Sequence, residues 1–199
     1  RRRCRRRRVP CPPRTRLHPP HRTHCAGAPY RARASPPNPQ ERLGMKHVNV
    51  GDLIKRHKFH SGKDAQFDSY VLDDDNEDKL LDLMEEMLRS SAAAGEGAVV
   101  DYHGCDFFPE RWFDLVLVLR ARTDVLYDRL TKRGYADEKR RENLECEIMQ
   151  VVLDEARESY EREIVHEVRS DTIEEMEGNV DRVDQWVKQW RSDNGKEES

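Results

Sequence analysis

The spacing of apolar residues divides most of the chain into short strands that alternate with helices. Residues 47–50 (HVNV) read as a strand, with Gly51 and Asp52 as the turn into a helix over about 53–60. Residues 61–72 carry Gly62 and mixed polarity, and read as loop. Leu80, Leu81, Met84, Met87 and Leu88 then recur at helical spacing over 77–90, with Asp73, Asp74 and Asp75 available as N-caps. Gly95 and Gly97 break the chain before a small apolar strand at 98–102, and a loop follows with Pro109 at a helical first turn. Residues 113–119 (FDLVLVL) form the clearest buried strand. Thr123 caps a helix that runs through Lys132 and stops at Gly134. A long helix is expected over 137–166, with a last short strand at 165–168 and an amphipathic helix over 172–191. This alternation predicts an α/β fold, a parallel sheet flanked by helices. No apolar run approaches the roughly 18 residues of a membrane-spanning helix.

Charge splits the chain at Gly44. Residues 1–44 hold 13 Arg, no Lys and one acid (Glu41), and nine of the ten prolines. Of the 36 basic and 39 acidic residues in the whole chain, that leaves 23 and 38 for residues 45–199, an excess of 15 negative charges. The leader has too little apolar content to offset the entropy of ordering and is expected to be disordered; residues 45–199 are expected to be the folded domain. The run RRRCRRRR at 1–8 reads as a nuclear localisation signal or a phosphate-neutralising patch. The leader's prolines prevent the amphipathic helix of a transit peptide. Cys11, His18, His21, His24 and Cys25 resemble metal ligands in type, but their spacing matches no standard zinc finger. The first Met is Met45, where the composition changes, so the leader is expected to be non-native and the sequence incomplete or mis-started. Five cysteines, an odd number, and no apolar signal segment fit a reducing compartment.

The segment from Val99 to Gly104 (VVDYHG) carries the clearest chemistry. An apolar strand that ends in Asp101 before a glycine-containing loop puts a carboxylate at the carboxyl edge of a parallel sheet, where ligands of open α/β sheets bind. Such a carboxylate can hold Mg²⁺ through water beside nucleotide phosphates, or simply cap its own loop. His103 could orient a water or relay a proton. Cys105 reads as a small buried residue, with nothing in sequence to activate it. Arg129 and Arg133 lie four apart on one helix face, a spacing that suits either polyphosphate or a solvated basic helix end. Trp186 and Trp190 sit at core spacing. No G-x-x-x-x-G-K-[ST] loop occurs in the 199 residues, and Gly62-Lys63 is followed by Asp64.

Several segments together closely resemble the adenylate kinase isoenzyme 6 family. They are NVGDL at 49–53, DYHGCDFFPERWF at 101–113, VLYDRL at 125–130, RGY at 133–135, ECEI at 145–148 and EIVH at 163–166. The resemblance covers about 43–190. It implies a P-loop nucleoside-monophosphate-kinase-like fold, ATP with Mg²⁺ as cofactors, and an AMP-like nucleotide as acceptor. It also implies a role in small-ribosomal-subunit assembly, with a small-subunit ribosomal protein and the pre-ribosome as partners, in the nucleus and cytoplasm. Asp101 falls at a Walker-B-like position that serves Mg²⁺, with His103 in the same motif, so both are expected to be catalytic. Arg133 opens a short lid over about 132–142 and would contact ATP, with Arg129 beside it. Residues 49–80 fall on the monophosphate-binding arm. Gly51, Asp52 and Lys55 there, and Arg111 in the second block, are expected to bind substrate.

The family begins with a strand, a phosphate loop and a helix, and the Arg/Pro leader stands in their place. The missing strand would lie between those at 98–101 and 113–119. Its loss is expected to leave two inner edges unpaired, the chain poorly folded and its ATP binding nearly abolished. Two classes of function follow: a phosphotransferase and ATPase, inactive in this form, or a non-catalytic assembly factor whose acidic surface takes a basic partner. A third reading makes the Arg leader an RNA tether.

Overall fold

The computed structural model describes residues 44–64 and 69–194. The leader's expected disorder and its Cys/His set lie outside the described residues. Strand β1 (Lys46–Asn49) runs directly into helix α1 (Val50–His57), and a hairpin of β2 (Gly62–Asp64) and β3 (Ser69–Val71) follows. Helix α2 (Asp74–Ala93) leads to β4 (Ala98–Asp101), a 3₁₀ turn (Glu110–Trp112) and β5 (Val116–Arg120). Helices α3 (Thr123–Lys132), α4 (Asp137–Ile148) and α5 (Val151–Ser159), strand β6 (Val165–Arg169) and helix α6 (Ile173–Asn194) complete the order.

The strands form three pairs rather than one sheet. β1 pairs with β4 in parallel, Asn49 opposite Asp101, and β5 pairs with β6 in parallel, Val116 opposite Val165. β2 and β3 are antiparallel. Among the described residues no ladder joins β4 to β5, which is where two inner edges were expected to stand unpaired. The architecture is mixed α/β, with parallel strands between helices.

Two hydrophobic clusters follow this division. Val48 of β1 and Val50, Leu53 and Ile54 of α1 pack with Leu80 and Met84, one turn apart on α2, and with Phe108. Val118 of β5 packs with Leu153, Ala156 and Tyr160. Burying each large aliphatic side chain contributes about 1.5–3 kcal/mol. Phe113 packs against both clusters and meets Phe108 and Tyr160 edge-on, at centroid distances of 5.9 and 5.7 Å.

Several elements differ from the sequence reading. The first helix starts at Val50, three residues early, because Asn49 caps it: its side-chain oxygen accepts the Asp52 N–H at 2.9 Å. Residues 61–72, expected as loop, contain the β2–β3 hairpin. The long helix expected over 137–166 is two helices, broken where Gln150 takes φ +60°. The strand expected to be buried at 113–119 begins at Val116 and buries only Val118, leaving Leu119 56% exposed. Thr123 is the first helical residue of α3 rather than its cap, and Arg122 at the cap position makes no capping bond, its guanidinium donating instead to the Asp124 carboxylate. Gly134 does stop α3, at φ +73°. Asp73 caps α2 through Asn76 N–H at 2.9 Å. Thr172 and Glu175 form a reciprocal capping box at α6: Thr172 Oγ1 accepts the Glu175 N–H, and Glu175 Oε2 accepts the Asp171 and Thr172 N–H groups. No described helix is long and apolar enough to cross a membrane.

Candidate functional site

The parallel pairing of β1 and β4 brings their carboxyl ends together, and polar side chains meet there. Asp101 ends β4 directly opposite Asn49, the last residue of β1. Asn49 Nδ2 donates to Asp101 Oδ2 at 2.9 Å, while Asn49 Oδ1 holds the first turn of α1. His47, two residues back on β1, places Nε2 3.6 Å from the same Oδ2. Asp101 Oδ1 has no partner among the described residues, and the side chain is 45% exposed. One carboxylate oxygen is therefore anchored and the other uncommitted on a partly exposed side chain, a suitable donor for a hydrated divalent cation.

Gly51 and Asp52 occupy the first turn of α1, directly behind Asn49, so the site includes the start of the expected monophosphate arm. A Cβ on Gly51 would stand 3.4 Å from Asn49 Oδ1, close to the capping contact. Asp52 faces Lys55 at 3.8 Å, both exposed. His103 lies two residues past Asp101 and stacks on Tyr102, with centroids 4.1 Å apart and planes 28° apart. Burial, with Asp106 and Glu77 nearby, pushes the Tyr102 hydroxyl up to about 12.

The arginines divide. Arg133 caps the carboxyl end of α3, and its Nη1 is buried without a hydrogen-bond partner. A buried guanidinium nitrogen left unsatisfied is costly, and a phosphate oxygen is the kind of acceptor it matches. Arg129 instead donates through Nη2 to the Asp171 carbonyl at 2.8 Å. Arg111 donates to the Glu85 carboxylate at 3.2 and 3.3 Å, on the surface beside α2. Residues 132–142 comprise the end of α3, the Gly134 turn and the start of α4.

Cys105 is a free thiol. Burial and the charges of Glu155 and Asp106 push it up to about 12, so it stays protonated and is no nucleophile. The same burial raises Tyr160, whose hydroxyl donates to the Cys105 carbonyl at 2.7 Å. Trp186 and Trp190 lie 6.5 Å apart along α6, with Trp190 partly exposed. Among the described residues no group of three or more His, Cys, Asp or Glu could hold a metal ion by itself. A cation at Asp101 would need water and phosphate oxygens to complete its shell, as Mg²⁺ beside a nucleotide does.

Residue-by-residue reading missed His47 and the role of Asn49. Asn at a strand-to-helix junction is a readable cap signal, but its second bond depends on the register between β1 and β4, separated by more than forty residues. His47 carried no signal, since its neighbour across the ladder is Val99.

Parallel strands between helices, a carboxylate at a strand's carboxyl end and an arginine with an unpartnered donor are features of a nucleotide-binding α/β fold. A family profile described as an AAA domain matches residues 39–150. The chain is 47% identical over 150 residues to the adenylate kinase isoenzyme 6 homolog of Dictyostelium discoideum, covering 75% of this chain and 81% of that one. It is 50% identical over 143 residues to the homolog of Caenorhabditis elegans, covering 72% and 75%. Against the homolog FAP7 of Saccharomyces cerevisiae it is 46% identical over 145 residues, covering 73% and 70%. The chain belongs to the adenylate kinase isoenzyme 6 family, a nucleotide-kinase-like family of P-loop NTPases.

Proposed function

We propose that this domain serves phosphoryl transfer from ATP to a nucleoside monophosphate, AMP first, with slow ATP hydrolysis beside it. The observation that carries the reading is the Asp101 carboxylate, one oxygen tied to Asn49 and one left uncommitted, on a partly exposed side chain at the carboxyl end of the parallel pair. Mg²⁺ would be held there through water, and the cation supplies charge neutralisation at the phosphates. Arg133 would take a phosphate oxygen on its unpartnered Nη1. Asp101 and His103 are assigned to the catalytic motif. Arg133 and Arg129 are assigned to ATP, although Arg129 must first release the Asp171 carbonyl. Gly51, Asp52, Lys55 and Arg111 are assigned to the acceptor side, where Arg111 must leave Glu85. Residues 49–80 would act as the monophosphate arm and 132–142 as the lid of one domain spanning 45–199.

The 199 residues contain no G-x-x-x-x-G-K-[ST] loop, so no such backbone cradle for the phosphates and no P-loop lysine is encoded in them. We therefore expect weak ATP binding and little turnover from this chain alone. A coupled assay of ADP formation from ATP and AMP tests this. Turnover near that of an ordinary adenylate kinase would show the phosphate site to be misplaced.

A second reading rests on charge. Residues 45–199 carry 15 more acids than bases, which favours a basic partner such as a small-subunit ribosomal protein during pre-ribosome assembly, in nucleus and cytoplasm. Binding of that partner independent of ATP supports it. A strict requirement for ATP returns the weight to the nucleotide site.

A further inference from the structure

We propose that Asn49 is a positioning residue for Asp101, tying the placement of that carboxylate to the first turn of helix α1. The idea rests on the nucleotide-site reading above for its consequence, but its geometry stands apart from it. Asn49 spends both ends of its amide. Oδ1 accepts the Asp52 N–H at 2.9 Å, and Nδ2 donates to Asp101 Oδ2 at 2.9 Å. No other amide orientation serves both partners: reversal would set Nδ2 against an N–H and Oδ1 against a carboxylate. The parallel register, with Asn49 directly across from Asp101, delivers the two side chains to one place.

The consequence is selective presentation of one oxygen. Asp101 is only part-buried, and a carboxylate at a strand end could otherwise rotate freely. The Asn49 bond fixes the carboxylate plane, and His47 Nε2 stands 3.6 Å from the same oxygen. Oδ1 is then the oxygen offered to a hydrated cation. Partners that orient a metal-serving group in this way commonly change metal affinity by about 10–100-fold when removed. Because the amide also starts α1, displacement of the arm's first turn would move the carboxylate. A cap alone would require only an oxygen at position 49, and Ser or Asp would serve equally.

That last point separates the two roles. Asn49→Ser keeps a cap oxygen and loses the donor to Asp101. Asn49→Asp keeps the cap and sets a second carboxylate against the first. Asp101→Asn in the Asn49→Asp background restores the bond with donor and acceptor exchanged. Thermal unfolding of the 199-residue wild type, N49D, D101N and N49D/D101N tests the pairing. We expect N49D to lower Tm by about 2–4 °C and the double variant to recover most of it. Additive losses would overturn the pairing.

The same melts with millimolar ATP, titrated with Mg²⁺, test the consequence. Wild type should gain Tm with Mg²⁺, and N49S should need roughly tenfold more Mg²⁺ for the same gain. An unchanged Mg²⁺ requirement in N49S would overturn the positioning role. A wild type that shows no Mg²⁺-dependent gain would instead overturn the nucleotide-site reading, and the exchange cycle alone would then decide whether Asn49 orients Asp101.

Discussion

The two parallel strand pairs use polar side chains in opposite ways. In the β5–β6 half, Arg120 is 12% exposed and each of its three guanidinium nitrogens has a hydrogen-bond partner. It meets Glu147 Oε1 at 2.6 Å, the Glu147 carbonyl at 3.0 Å and Glu167 Oε1 at 3.2 Å. Glu147 also accepts the Ala121 N–H, so strand and helix are fastened together. In the β1–β4 half, Asp101 is part-buried, anchored on one oxygen and open on the other. Arg133 at the end of α3 likewise keeps a buried nitrogen without a partner. A charge that the protein has fully satisfied is holding the fold together; a charge left with open valence is prepared for something else. The distinction needs no motif, only an account of where each hydrogen bond goes.

The comparison can be broken most forcefully at Arg120. Arg120→Met strands the half-buried Glu147, and breaking such a pair is expected to cost about 3–5 kcal/mol in chemical denaturation. A loss below about 1 kcal/mol would show the network to be ornamental. Asp101→Asn should cost far less, about 1 kcal/mol, while removing the Mg²⁺-dependent part of ATP binding. An equal stability loss at both positions would erase the contrast between the halves. Asp73→Ala, which removes the cap of α2, should cost about 1 kcal/mol with no change in nucleotide binding. Arg133→Met is expected to leave stability within about 0.5 kcal/mol and to weaken ATP binding; a large destabilisation would mean that Arg133 belongs with Arg120.

Alkaline pH sharpens the contrast from another side. Cys105 and Tyr102 are both raised to about 12 by burial, from 9.0 and 10.0. Each is neutral in the folded protein at pH values where the unfolded chain would ionise it. Their contribution is thus intact below about pH 9 and is lost as pH rises toward 12. Urea denaturation should show stability falling from about pH 9 upward, and Cys105→Ala should blunt the lower part of that fall. At pH 8 the native thiol should react with iodoacetamide roughly a thousandfold more slowly than in the unfolded chain.

Much of the fold was legible where periodicity was strong. Leu80 and Met84 sit buried at the spacing that predicted α2, and Gly134 stops α3 as its position suggested. The errors have local causes. Helix α4 runs into α5 with only Met149 and Gln150 between them, and neither is a Gly or Pro, so the φ +60° break at Gln150 left no mark in composition. The β2 and β3 strands are three residues each, too short to show alternation. Exposure of Leu119 was unreadable because FDLVLVL looks the same whether or not a further strand covers it. At the site, Asp101 stood out as a carboxylate ending an apolar strand, whereas its partner Asn49 required the register. The open valence of Arg133 was equally hidden, since spacing alone cannot tell a satisfied arginine from an unsatisfied one.

The most direct test of the central claim, that the β1–β4 end is a nucleotide site and Asp101 its cation-serving group, is a Mg²⁺ titration of ATP binding. It compares wild type with D101N, using ligand-observed NMR to capture weak binding. The account predicts that Mg²⁺ strengthens ATP binding to wild type and has little effect on D101N, with both proteins equally folded. Identical Mg²⁺ dependence in the two proteins would contradict it.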